Sequence, residues 1–120
     1  MPAGTVNDHQ LAFYDVMPTL LDYAGLDGDR YSKKASTEER CYDGISFHET
    51  LTGNDGAQEK HDFLYWEFHE TNMMAVRMGD WKLVVKGGTP YLYDLSKDLH
   101  EDSDVAAQNP DIVRRMIEII

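Results

Sequence analysis

The sequence predicts an α+β fold: a four-stranded antiparallel sheet with a C-terminal helix packed on one face, preceded by a helix and loops. Three stretches carry that prediction. Met73 to Lys86 holds two apolar-alternating arms joined by Gly79-Asp80, and a glycine leading a two-residue loop suits a type II′ hairpin turn because it adopts φ > 0 without a Cβ clash. Phe63 to His69 alternates in residue type with four aromatics, as a strand does. Asn109-Pro110-Asp111 places a capping residue, a first-turn proline and an acid ahead of an apolar-periodic run, which is how a helix starts.

From the N-terminus, Pro2, Gly4 and Asn7 mark an entry loop, and His9 to Tyr14 reads as a short strand. Asp15 reads as the N-cap of a helix over about 15–25, with Pro18 in the first turn and Gly25 as its stop. Val16, Met17, Leu20, Leu21 and Ala24 form a broad apolar stripe that requires a cover. Leu26 to Tyr42 is polar and mixed in charge and reads as a loop. Order resumes at Asp43-Gly44-Ile45-Ser46-Phe47, a short helix follows at His48 to Leu51, and Asn54 to Asp62 is a second surface loop.

In the first strand, Leu64, Trp66 and Phe68 are expected on the buried face, with Tyr65, Glu67 and His69 opposite. The hairpin should set Met78 against Trp81, Val76 against Leu83 and Met74 against Val85, all six on one apolar face. Met73, Ala75, Arg77, Lys82, Val84 and Lys86 take the mixed face. A turn over Lys86 to Pro90 leads to a fourth strand at Tyr91 to Leu95. The last residues, Ile112 to Ile120, stop within the helical pattern without a capping residue, which reads as a cut end.

Composition narrows the function classes. Among 120 residues, 42% are hydrophobic and 28% charged, as in folded domains. The formal charge of −11 argues against duplex nucleic acid as a partner, since binding it depends on Lys and Arg neutralising phosphates. Cys41 is the sole cysteine, so no intrachain disulfide forms, and it has no activating base nearby in sequence. No apolar run reaches the ~18 residues of a membrane span, and a basic-then-apolar signal peptide is not evident at the N-terminus. The acidic run Asp98 to Asp104 lacks the glycine and terminal glutamate of a calcium loop.

No constellation of residues completes an active site. Glu67 and His69 share a strand face, with Glu70 beside them, a spacing suited to acid–base or ligand-binding work; a solvated sheet edge is the alternative. His61-Asp62 is a second imidazole–carboxylate pair, and Arg77 and Lys82 share a hairpin face where they could meet anions or simply face water.

The order of segments resembles one family. Asp15 to Gly25 is similar to the "D-x-x-P-T-L-L-x-x-A-G" helix of the type I, formylglycine-dependent sulfatases (arylsulfatases) of the alkaline phosphatase superfamily, and Pro2 to Val6 looks like the end of the loop before it. Asp43-Gly44-Ile45-Ser46-Phe47 with Leu51-Thr52-Gly53 resembles the family's "D-G-x-S-(x)n-L-x-G" segment. Leu64 to Glu67, Ala75 to Leu83, Leu92 to Leu95 with Asp98 and Glu101, and Ala106 to Pro110 resemble its C-terminal sheet and the entry to its last helix; Leu99 and Asp104 depart from the usual Pro and Asn.

The resemblance implies that residues 1–62 are the end of the large sulfatase domain and 63–120 the C-terminal sheet-plus-helix subdomain. It implies a parent hydrolysing sulfate esters, with a carbohydrate as the expected carrier, calcium and formylglycine as cofactors and a periplasmic or secreted location. Cys41, followed by Tyr42-Asp43-Gly44-Ile45, does not fit the "C/S-x-P/A-x-R" formylglycine motif, and no catalytic or metal residue of the family can be placed on this chain. The isolated chain is therefore expected to be inactive. Its expected partners are the remaining sulfatase domain and a sulfated saccharide or aryl sulfate, with His69, Glu67 and Glu70 as the candidate substrate rim. Self-association through the stripe of the first helix is also expected. Two alternatives stay open: a non-catalytic binding module, and a fragment of a related phosphatase or phosphodiesterase.

Overall fold

The computed structural model describes residues 4–26 and 44–120. Cys41 and most of the polar loop of residues 26–42 lie outside the described residues. The chain divides into two compact units, Met1–His61 and Asp62–Ile120. Among the described residues no helix is long and apolar enough to cross a membrane.

In the first unit, a 3₁₀ turn at Phe13–Asp15 leads directly into helix α1, Val16–Tyr23. The strand expected at His9 to Tyr14 does not form. Asp15 closes the backbone there instead: its Oδ2 accepts the Ala12 N–H at 2.7 Å while its own N–H donates to the Ala12 carbonyl at 3.0 Å. Nor does the Asp15 side chain cap α1, because it is spent on other donors. α1 stops as expected, with the Leu26 N–H reaching back to the Leu21 carbonyl (3.0 Å) around Gly25 at φ 65. Helix α2, His48–Thr52, ends at Gly53, also left-handed at φ 86. The ring of Tyr23 meets His48 edge-on at 4.8 Å between centroids, and Thr19 Oγ1 accepts the Phe47 N–H at 3.0 Å; together they tie α2 to α1. Met17 and Leu20 of the apolar stripe are exposed.

The second unit is one antiparallel sheet in the order β1-β2-β3-β4, with strands Leu64–Phe68, Met73–Met78, Trp81–Lys86 and Thr89–Asp94, followed by helix α3, Pro110–Ile117. The central hairpin pairs as its alternation requires, Met78 with Trp81, Val76 with Leu83 and Met74 with Val85. Gly79 has φ 57 and Asp80 stays out of the left-handed region, the type II′ combination. At the next turn Gly87 and Gly88 are both left-handed (φ 55 and 84), which gives a two-residue type I′ loop and starts β4 at Thr89, two residues earlier than the sequence suggests. Val76, Leu83, Val85, Leu92 and Met116 of α3 form the core, with Ile112 and Val113 packed against it. Asn109 stands at the N-cap position of α3 without capping it. Its amide donates to the Val105 carbonyl at 3.0 Å instead.

The faces of β1 are the reverse of the expectation. Tyr65 pairs with Val76 and Glu67 with Met74, so Tyr65 and Glu67 share the core face, while Leu64, Trp66 and Phe68 lie with Arg77, Ala75 and Met73 on the other. Leu64 is buried there, but Trp66 and Phe68 are 40% and 57% exposed. Alternation alone cannot choose a face when both carry apolar residues; the register with β2 decides it.

Candidate functional site

At the end of β1 the chain leaves the sheet through a 3₁₀ turn, His69–Thr71, and re-enters β2 by way of Asn72 in the left-handed region (φ 50, ψ 47), a conformation asparagine tolerates better than most residues. The turn lifts His69 out of the strand, with its side chain 92% exposed, yet leaves Nδ1 3.5 Å from Glu67 Oε1. The other Glu67 oxygen accepts the Tyr65 hydroxyl at 3.3 Å. A phenol, a carboxylate and an imidazole thus stand in sequence at one tip of the sheet, with Glu70 exposed in the same turn. Partial burial first, then the charge and hydrogen bond of Glu67, hold the Tyr65 hydroxyl above its ordinary pKa. A carboxylate–imidazole contact this exposed adds little to stability. Chemically it offers a polar ligand the imidazole of His69 as donor and the carboxylates of Glu67 and Glu70 as acceptors.

The cations singled out on the hairpin are engaged within the fold. Arg77 Nε donates to the Gly79 carbonyl at 3.1 Å, and Lys82 pairs with Glu101 in a half-buried bridge. Asp98 and Asp104 of the acidic run are spent on backbone. Asp98 accepts the N–H groups of Ser103 (2.8 Å) and Asp102 (3.1 Å), and these bonds hold its carboxyl below the usual range. Asp104 Oδ1 accepts from Leu92 (3.0 Å) and Ala106 (2.9 Å). Among the described residues no group of three or more His, Cys, Asp or Glu side chains is placed to hold a metal ion.

Two features depend on contacts that no local sequence pattern specifies. A groove of about 480 Å³ runs between the tip of the central hairpin and α3, lined by Met78, Trp81, Ile112 and Met116 with Asp62, Asp111 and Arg115 at its polar positions; none of the rim candidates reaches it. The other is Asp15. Its carboxylate is 1% exposed; besides the Ala12 N–H it accepts Ile45 N–H and His61 Nε2, each at 2.8 Å on Oδ1. His61 is only 11% exposed and meets Tyr14 edge-on at 5.6 Å. His61, paired in sequence with Asp62, therefore belongs to a buried hub, and burial also lowers the pKa of nearby His9, an effect the Asp15 charge opposes. Asp15 and His61 are 46 positions apart, a separation no local motif reveals.

No protein-family model matches the sequence. Among solved structures the chain is similar to a sulfatase of Bacteroides thetaiotaomicron, from work on that organism's metabolism of multiple glycosaminoglycans, at 21% identity and a TM-score of 0.61 over 88% of this chain. It is also similar to a 2-O GAG sulfatase, at 25% identity and a TM-score of 0.63, again over 88% of its length. The chain spans 23% and 22% of those two proteins.

Proposed function

We propose that this chain, which carries a sulfatase fold over 88% of its length, acts as the C-terminal part of a sulfatase that cleaves a sulfate ester on a carbohydrate. That fold match carries the reading, together with the segment order from Asp15 to Pro110. In this role the first unit and its exposed α1 stripe complete a larger catalytic domain, and the sheet tip contributes to the substrate rim. In this reading the formylglycine and calcium that the resemblance implies would belong to that larger domain.

Within the rim, His69 donates to a hydroxyl or sulfate oxygen of the sugar, and Glu67 and Glu70 accept from hydroxyls. Exposure of the imidazole and its placement 3.5 Å from Glu67 support these roles: the ring is free to turn to a ligand while the carboxylate keeps it near the tip. In the full-length enzyme, His69→Ala should lower kcat/KM for the natural saccharide by about 5- to 150-fold, the equivalent of ~1–3 kcal/mol. It should leave turnover of a small aryl sulfate and the thermal midpoint nearly unchanged. Equal losses on both substrates would remove His69 from the rim.

A further inference from the structure

The two edges of the sheet are treated differently. The outer edge of β4 is closed: the Val105 N–H donates to the Leu92 carbonyl at 2.9 Å, Asp104 takes the Leu92 N–H at 3.0 Å, and Pro90 has no N–H to offer. β1 forms the opposite edge. Among the described residues, only the Thr71 hydroxyl reaches its backbone from beyond β2, at the Phe68 carbonyl on the strand's last residue (3.5 Å). Leu64-Tyr65-Trp66-Glu67-Phe68 contains no lysine, proline or bulge, the devices that usually blunt an edge. It also exposes Trp66 and Phe68.

We propose that β1 is a docking strand for a second copy of this chain, added antiparallel about a two-fold axis through Trp66, so that two four-stranded sheets become one of eight strands. The strand is complementary to itself in that register. Trp66 opposes the partner's Trp66, an aromatic cross-strand pair, and Phe68 lies against the partner's Leu64. Glu67 opposes the partner's Tyr65, so the hydroxyl–carboxylate bond seen within one strand at 3.3 Å has an equivalent acceptor across the interface. Sliding the pair by two residues one way would set Glu67 against the partner's Glu67, like charges directly opposed; sliding it the other way would centre it on Tyr65 and leave Glu67 and Phe68 with no β1 residue opposite. A one-residue slip would bring the core face of one sheet round to the other face of its neighbour. The register centred on Trp66 is thus singled out by charge, by face and by pairing β1 along its whole length. Each copy carries a formal charge of −11, so salt should tighten the dimer by screening the repulsion.

This inference stands on the sheet edge alone and is independent of the catalytic reading. Its test is sedimentation of the 120-residue chain over a wide concentration range, at low and high salt, with amide exchange followed in β1. The expected result is a concentration-dependent dimer that strengthens with salt and slows exchange in β1. Trp66→Lys, which sets two ammonium groups against each other, should weaken it by at least about tenfold. Phe68→Lys, at a more exposed position, should act in the same direction if Trp66→Lys fails to fold. Leu20→Glu on α1 should leave the dimer intact. A chain that stays monomeric throughout overturns the proposal, whatever other strand the edge accepts. So does a dimer indifferent to the β1 variants, or one abolished by Leu20→Glu.

Discussion

Replacing Asp15 by Asn should unlock the first unit, and the geometry sets the size of the effect. Oδ1 receives both the Ile45 N–H and His61, and Oδ2 receives the Ala12 N–H at 2.7 Å. An amide can place its oxygen on the Oδ1 side and keep two acceptor contacts, but its NH₂ then faces the Ala12 N–H, donor against donor. One charge-assisted bond worth about 1.5–3 kcal/mol is lost, and two others fall towards neutral strength, for a total of roughly 3 kcal/mol. At about 4–8 °C per kcal/mol for a small domain, the thermal midpoint of this unit should fall by roughly 12–24 °C. The assay is urea denaturation with residue-resolved amide exchange, which separates Ile45, Phe47 and Thr50 in the first unit from Val76, Leu83 and Leu92 in the sheet. A cycle with His61→Phe should return a coupling energy of at least about 1 kcal/mol, because both residues share one bond. A loss below about 1 kcal/mol for Asp15→Asn, or a cycle that sums to zero, would show that the hub carries no such weight.

Two further substitutions probe the same packing and the acidic loop. A Cβ on Gly44 would sit 2.2 Å from the Tyr14 carbonyl oxygen, a backbone atom that cannot rotate away, so Gly44→Ala should cost about 2 kcal/mol or more in urea denaturation, and a neutral result would dismiss the close approach. At Asp98 the folded carboxyl titrates below its unfolded value because Ser103 and Asp102 donate to the ionised form; its stabilisation is therefore present above the unfolded pKa and lost as pH falls through the folded one. Asp98→Asn should accordingly reduce the loss of stability below about pH 4, seen as a shallower acid limb in the pH dependence of the denaturation midpoint.

The sheet was legible in the sequence wherever a single local signal set the geometry. Gly79-Asp80 fixes a two-residue turn, the turn fixes which residues oppose one another, and period 2 then places Val76, Leu83 and Val85 together in the core. The errors fall where a local signal has to be completed by something distant. An aspartate ahead of an apolar helix has the form of a cap, yet the donors that satisfy Asp15 include the amide of residue 45 and the ring of residue 61. In β1, three large apolar side chains in alternate positions suggested the core face, but pairing with β2 turned Tyr65 inward and left Trp66 and Phe68 outward.

That inversion alters what the Glu67–His69 pair means physically. Alternation alone places both on a solvated face of one strand, with the core behind them. The register instead sets Glu67 opposite Met74, on the face that carries Val76 and Leu83 further along. Its carboxylate can remain 41% exposed there because β1 ends one residue later and the 3₁₀ turn carries His69 outward. Burying that carboxylate unpaired would be costly, so a chain that places Glu67 on a core-facing register must end the strand close by or supply partners, and it does both through Tyr65 and His69. The tip is polar because β1 stops there, and it stays accessible because Asn72 accepts the left-handed turn that brings the chain back into β2.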